Sequence, residues 1–180
     1  MRNTELKVAI VIGHTKLRKG AYSKYLGKYE YDFYKQYKNR FQELGDVYTH
    51  NPLIPSYTKR QKNTAKKTKG YDLVFELHFN KFNGNAKGCE ACYCYKSKYG
   101  KQLADKFTET YTSLTESKKR HSKPLKDKSD RGFGFVYYQK PTAVLLEPFF
   151  GDNKEDYLNF NIEMLLNSIS QTIEYYKEIK

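Results

Sequence analysis

The sequence has no tryptophan and is poor in cysteine, methionine and proline, with three, two and five of these among 180 residues. The cysteines form one cluster, Cys89, Cys92 and Cys94. An odd, clustered set argues against a framework of disulfide bonds. A zinc knuckle would need a second pair of ligands close by, and this stretch has none. We therefore predict small, partly buried strand residues rather than metal ligands.

Long apolar runs are also missing. No run approaches the roughly 20 residues that cross a bilayer as a helix, so we expect no membrane span. The N-terminal stretch MRNTELKVAIVIGH has a short apolar run but no small-residue cleavage site. It predicts a strand rather than a signal peptide, which favours synthesis in the cytoplasm.

Acidic residues are fewer than basic ones. The chain has 20 Asp and Glu and 33 Lys and Arg, which gives a net charge of +13. This excess favours a polyanionic partner such as nucleic acid, an anionic lipid surface or an anionic cell wall. The alternative is that the charge only supports solubility in a chain that is generally rich in lysine. Hydrophobic residues make up 38% of the chain, so 18 tyrosines and 11 phenylalanines must supply much of the core.

Strand patterns alternate with helical patterns along the chain. VAIVI, LVFEL and TAVLLE are typical of buried strands, and Phe33, Tyr37, Phe41 and Leu44 recur at helical spacing. Such alternation predicts an α/β domain with a mostly parallel central sheet flanked by helices on both faces. The chain has no repeat and no linker rich in Pro, Ser or Gly, so we expect one domain over residues 1–180.

The C-terminal half carries further local predictions. FGFVYY (133–138) predicts a short strand, and the polar basic stretch TESKKRHSKPLKDKSD (115–130) predicts a loop. Asn153 and Asp156 resemble an N-cap box. The apolar positions from Leu158 onwards predict one long amphipathic C-terminal helix.

Three apolar strands end at a residue that can bind a metal or transfer a proton. His14 follows VAIVIG, His78 follows LVFEL, and Glu147 closes TAVLL. Ligands of open α/β sheets bind outside the carboxyl ends of the strands, and Glu30 is near enough in the chain to fold back over the first of them. Two histidines and a carboxylate can hold catalytic zinc, with a further glutamate as general base. A structural hydrogen bond is the alternative explanation for each histidine.

Six segments occur in an informative order: VAIVIGHT, GAYSKYLGKYEYDF, DLVFELHFN, GCEACYCY, DRGFG and VLLEPFFGDNKED. They resemble the zinc-dependent N-acetylmuramoyl-L-alanine amidases, a family of bacterial cell-wall hydrolases and phage endolysins with a phosphorylase-like α/β fold. None of these segments is specific by itself, whereas their order and their strand–loop context are. The resemblance extends over nearly the whole chain.

The resemblance implies that His14, Glu30 and His78 bind one Zn²⁺ per chain and that Glu147 is the catalytic carboxylate. It implies hydrolysis of the amide bond between N-acetylmuramic acid and L-alanine in peptidoglycan. Glu147 would take a proton from water and deliver it to the leaving amine, while zinc activates the water and the carbonyl. The chain would then be a single catalytic amidase domain.

The sequence allows two roles for each of two polar residues near the predicted centre. Asn80 and Arg131 could orient ligands or substrate, or they could fix a turn and lie on the surface, respectively. His50, in the turn THNP, and His121, in the basic stretch KKRHSK, are expected to be surface residues rather than ligands.

The chain departs from the family pattern at two places. The family often has GHGG after the first histidine, whereas this sequence has GHTKLRKG, which changes the expected shape of that edge of the site. Glu76 replaces a small polar residue and lies on the same strand face as His78. It could accept a hydrogen bond from that histidine, or it could pair with one of the many lysines, which we favour.

Two other functions are compatible with the residues. A zinc peptidase or carboxypeptidase could use the same ligands to cut within the stem peptide. A basic nucleic-acid-binding module would use the aromatic and lysine residues of KYLGKYEYDFYKQYKNR, although their helical period favours a core role. For the amidase we expect peptidoglycan as substrate, anionic wall polymers as possible partners, no nucleic acid, a monomer, and a phage-lysin-like release from the cytoplasm to the wall.

Overall fold

The computed structural model describes residues 6–180, so the first five residues of the expected domain lie outside the described part. The strands in chain order are β1 (Val8–Ile12), β2 (Tyr22–Ser23), β3 (Lys28–Tyr29), β4 (Asp46–Thr49), β5 (Leu73–Leu77), β6 (Glu90–Cys94), β7 (Lys123–Leu125) and β8 (Thr142–Glu147). The helices are α1 (Glu30–Lys35), α2 (Lys38–Phe41), α3 (Tyr57–Lys67), α4 (Lys98–Thr115), α5 (Phe133–Tyr138), α6 (Lys154–Asn159) and α7 (Ile162–Ile179).

The main sheet has the strand order β4-β1-β5-β8-β6-β7. Strands β4, β1, β5 and β8 run parallel, whereas β6 is antiparallel to β8 and parallel to β7. β2 and β3 pair separately as a small antiparallel hairpin before α1. The mostly parallel α/β sheet predicted from the alternation of patterns is confirmed.

Apolar layers cover both faces of the sheet. On one face, Ile10 and Phe75 pack with the helices α1, α4 and α7. On the other, Val11 and Leu145 pack with α5. The alternate strand positions therefore point into two cores, which explains why β1 is a continuous apolar run and β5 is one that only Glu76 interrupts. No helix among the described residues is long and apolar enough to cross a membrane.

The local predictions for the C-terminal half are partly wrong. FGFVYY forms the helix α5 and not a strand, because Gly132 enters it with a φ of 86° and Phe135 is fully buried on the sheet. A short apolar run is ambiguous in period, and packing decided its conformation. The predicted loop of 115–130 contains the edge strand β7.

The long C-terminal helix is interrupted. Asn153 caps α6 through Asp156, as predicted, but the chain is extended at Phe160 and starts again with Asn161 as the cap of α7. Leu158, which we predicted to be apolar core, is 66% exposed. The break redirects the chain so that α7 packs along α4.

Candidate metal and catalytic centre

The carboxyl ends of neighbouring parallel strands bring the predicted residues together. His14 lies just beyond β1, His78 follows β5, and Glu147 ends β8. Glu30 begins α1, and its backbone N–H donates to the carbonyl of Ala21 at 3.0 Å, which folds the loop back over the sheet. The placement expected from the strand ends is what the structure shows.

His14, Glu30 and His78 meet at one carboxylate oxygen. Oε2 of Glu30 lies 2.8 Å from Nε2 of His14 and 3.1 Å from Nδ1 of His78. The other oxygen accepts a hydrogen bond of 3.0 Å from the backbone of Ala21, which fixes the carboxylate. His14 has a φ of 65°, so the backbone adopts a costly left-handed conformation to aim this ring at the centre.

These donors fit a zinc ion. One ligand atom from each of His14, Glu30 and His78 lies within 4.8 Å of the others. Two imidazole nitrogens and a carboxylate oxygen are a donor set of catalytic zinc, with a fourth position for water or substrate. Burial tends to raise the pKa of Glu30, but its hydrogen bonds to the histidines lower it to about 2. The carboxylate therefore stays ionised and attracts positive charge.

Behind this centre lies a buried polar chain that the sequence interpretation missed. Nε2 of His78 lies 3.1 Å from Oε2 of Glu76, and Oε1 of Glu76 lies 2.6 Å from Nε2 of His50. Nδ1 of His50 lies 2.7 Å from the hydroxyl of Thr64 on α3. Burial opposes ionisation of Glu76, but hydrogen bonds to the two histidines hold its pKa below the usual range.

Two predictions are corrected here. Glu76 does not pair with a lysine, since it is 1% exposed and bonded to His50 and His78. His50 is not a surface residue, since it is 3% exposed. A usable signal was present, because His50 directly follows β4, the next parallel strand, and so reaches the same sheet edge. His121 is exposed, as predicted.

Glu147 lies between an amide and a second carboxylate. Nδ2 of Asn80 donates to Oε2 of Glu147 at 2.9 Å. Glu90 faces Glu147 directly across the antiparallel pair of β6 and β8. Burial raises the pKa of Glu147 to about 7, and Glu90 adds to the rise against the opposing effect of His78. Glu90 was not predicted, although the alternation in GCEACYCY places it on one face with Cys92.

The cysteines occupy the positions predicted for strand residues. Cys92 and Cys94 lie in β6, and Cys89 directly precedes it, with Cys89 and Cys92 buried. Cys92 also places its sulfur within 4.8 Å of oxygens of Glu90 and Glu147. Burial holds the pKa of the Cys92 thiol well above its usual value, which disfavours the thiolate that a metal would need.

An open cleft of about 790 Å³ connects the three candidate metal ligands with Glu147. Glu30, His78 and Glu147 line it together with Asn80 and Arg131. Both residues with open roles thus lie at the centre: Asn80 is bonded to Glu147, and Arg131 is a wall residue of the cleft.

Comparison with known proteins agrees with this geometry. The family model of N-acetylmuramoyl-L-alanine amidase matches residues 8–175. The solved catalytic domain of CD27L endolysin, which targets Clostridia difficile, is 26% identical, with a TM-score of 0.73 over 95% of this chain and 98% of that one. No curated protein matches this chain significantly.

Two further solved structures show the same fold. N-Acetylmuramoyl-L-alanine amidase from Clostridium difficile 630 has a TM-score of 0.75 at 20% identity, over 97% of this chain and 98% of that one. The catalytic domain of CwlV amidase from Bacillus (Paenibacillus) polymyxa var. colistinus has a TM-score of 0.71 at 17% identity, over 97% of this chain and 100% of that one. With its fold, its centre and the match over residues 8–175, this chain belongs to the N-acetylmuramoyl-L-alanine amidase family.

Proposed function

We propose that this amidase is zinc-dependent and cuts the amide bond between N-acetylmuramic acid and L-alanine of peptidoglycan. The observation that carries the proposal is the meeting of His14, Glu30 and His78 at one carboxylate oxygen, in the cleft that also holds Glu147. Family membership supplies the substrate class, and the donor set supplies the metal.

Each residue has a definite task in the proposed reaction. His14, Glu30 and His78 would hold one zinc ion per chain, which when bound supplies Lewis acidity toward the scissile carbonyl and toward water. Ionised Glu147 accepts a proton from the attacking water at a carboxylate oxygen. It then delivers this proton to the alanine nitrogen as the amide bond breaks. Asn80 keeps Glu147 oriented by donating to Oε2.

The biological setting is part of the same proposal. The likeness to the CD27L endolysin domain supports a lytic role against a bacterial wall. We propose a monomer in which residues 1–180 form a single catalytic domain, made in the cytoplasm and released to the wall. The net charge of +13 would hold it at anionic wall polymers. Nucleic acid is not among the proposed partners, because Tyr31, Phe33 and Tyr34 of the aromatic stretch are buried in the core.

Digestion of purified peptidoglycan tests the proposal. We expect release of intact stem peptides with a free N-terminal L-alanine, detected by mass spectrometry, and loss of this release with a chelator. His78→Ala should contain less than one tenth of the wild-type zinc, whereas His121→Ala, at an exposed histidine, should keep it. Cleavage within the stem peptide would identify a peptidase instead. Release that continues in a chelator would contradict the role of zinc.

A further inference from the structure

The cleft carries guanidinium groups that form no ion pair with a carboxylate of the described residues. Arg18 and Arg60 line the cleft together with the metal centre. Among residues 6–180, neither has a carboxylate within 4.0 Å, whereas the neighbouring Lys19 is paired with Asp32 at 2.8 Å. Unpaired cations in a concave site attract an anion from outside.

Arg18, Arg60 and Gln61 form one wall of the cleft. Helix α3 contributes to this wall two buried polar atoms that have no hydrogen-bond partner among the described residues. Nη1 of Arg60 donates to the carbonyl of Pro55 at 2.9 Å, which fixes the guanidinium, but its buried Nε has no partner among the described residues. The next residue, Gln61, is 3% exposed, and its Oε1 also lacks a partner there. A buried polar atom left unpaired costs about 1–3 kcal/mol, so an unmatched donor and an unmatched acceptor on consecutive residues of one helix indicate a ligand.

The positive charges of Arg18 and Arg60 lie close enough to affect each other. Burial lowers the pKa of Arg60, and the nearby charge of Arg18 lowers it further. The two cations therefore repel one another, and a bound anion would relieve the repulsion. Arg60 also lies over the ring of Tyr57, with 5.9 Å from Cζ to the ring centroid, which limits how far it can turn away.

The wall lies within reach of the reacting bond. Thr64 of α3 is bonded to His50, which leads through Glu76 to His78. Gln61 lies three residues before Thr64 on α3, a rise of about 4.5 Å along the helix axis. A peptide that begins at the scissile amide extends about 7 Å over two residues. Arg60 and Gln61 line the same cleft as His78 and Glu147, so a stem peptide that runs through the cleft from the scissile bond passes along this wall.

The chemistry of the substrate indicates that its peptide half, and not its sugar half, supplies the anion for these arginines. In the proposed reaction the carboxyl of the muramoyl group is consumed in the scissile amide, so the free carboxylates lie on the stem peptide. We propose that Arg60 and Gln61, with Arg18, form the subsite for this peptide. The guanidinium groups bind the carboxylate of the residue after alanine, and Gln61 accepts a peptide N–H. This inference rests on the proposed function.

Competition during peptidoglycan digestion by the zinc-loaded full chain tests the subsite. The inhibitors are two synthetic stem peptides that differ only at the second residue, which bears an α-carboxylate or an α-carboxamide. For the wild type, we expect the carboxylate peptide to inhibit about tenfold more strongly. Arg60→Gln should abolish this difference, and Arg18→Gln, at an exposed residue that folding does not need, should reduce it. Lys66→Gln, on the exposed side of α3, removes the same charge and should preserve it.

The outcomes separate the two proposals. Equal inhibition by both peptides in the wild type overturns the subsite, and so does a difference that survives both arginine substitutions. Zinc content and the midpoint of urea denaturation show whether each variant is folded. If the wild type releases no stem peptide in the uninhibited digest, the proposed function itself fails.

Discussion

At the residue scale, the orientation of His78 follows from its hydrogen bonds. Its Nδ1 must be free of hydrogen to bind a metal, so the proton must lie on Nε2 and point at Glu76. Glu76 then accepts from His50 as well, and Nδ1 of His50 accepts from the hydroxyl of Thr64. His78, Glu76, His50 and Thr64 each have a partner in this series of hydrogen bonds, so the buried groups fix the ring of the ligand histidine.

Glu76→Gln should weaken zinc binding. The amide has one accepting oxygen and no negative charge, whereas the Glu76 carboxylate receives N–H groups from both His50 and His78, so the ligand histidine loses its charged acceptor or the support of that charge. We expect zinc affinity to fall about 10- to 100-fold, measured by competition with a chromogenic chelator. Glu174→Gln, at an exposed surface pair, is the control and should bind like the wild type. Unchanged affinity in Glu76→Gln would contradict the positioning role.

Glu147→Gln should change how the stability of the metal-free protein depends on pH. The pKa of Glu147 is raised from 4.5 to about 7, so the folded state holds its proton more tightly than the unfolded state does. The cost of ionisation therefore grows as pH rises from about 4.5 and is complete above about 7. Glutamine still accepts from Asn80 and can donate to Glu90, but it never ionises.

We expect the metal-free Glu147→Gln variant to exceed the wild type by about 3 kcal/mol in unfolding free energy at pH 8 and to equal it near pH 4. Urea denaturation at the two pH values measures both. A gain of the same size at pH 4 would show that burial of charge is not the cause. Peptidoglycan digestion by this variant should be lost at either pH.

At the element scale, the contact between β1 and β5 decides whether the ligands can meet. The N–H of Gly13, just beyond β1, donates to the carbonyl of Leu77 at 3.1 Å. A Cβ at this position would lie 2.5 Å from Nε2 of His78 and 2.6 Å from the oxygen of Leu77. Only glycine therefore lets the two strand ends approach closely enough to place His78 beside His14.

Gly13→Ala should damage the centre more than the fold. We expect zinc affinity to fall at least about tenfold, because His78 must move, and the unfolding free energy to fall by about 1–3 kcal/mol. Zinc titration and urea denaturation measure these effects. Gly70→Ala is the matched control, because a Cβ there meets nothing within 4 Å. If Gly13→Ala binds zinc like this control, the close approach is not required.

At the scale of the whole molecule, the net charge of +13 has a proposed use in holding the enzyme at an anionic wall. Such attraction is screened over about 8 Å at physiological ionic strength. We expect lysis of whole cells to fall as sodium chloride is raised from about 0.05 to about 0.5 M. Hydrolysis of a small soluble muramoyl peptide should change less, which makes it the control. Lysis that is independent of salt would contradict the electrostatic role.

The sequence alone determined the elements that carry the candidate centre. The run before His14 is apolar throughout and the run before His78 is apolar except for Glu76, because each strand packs against a core on both faces, and such runs identify parallel strands. Parallel strands end at one sheet edge, so the strand pattern by itself was enough to place His14, His78 and Glu147 together. The stretch FGFVYY had no such signal, because six apolar residues fit either period.

Only the tertiary structure decided which groups surround those residues. Glu76 and His50 meet because β4 and β5 lie on either side of β1, and Glu90 faces Glu147 because β6 reverses direction beside β8. The order and direction of strands depend on long-range packing of the whole chain, which no local pattern encodes. A buried carboxylate finds its partner across the sheet, so its role is fixed by its spatial neighbours and not by its neighbours in sequence.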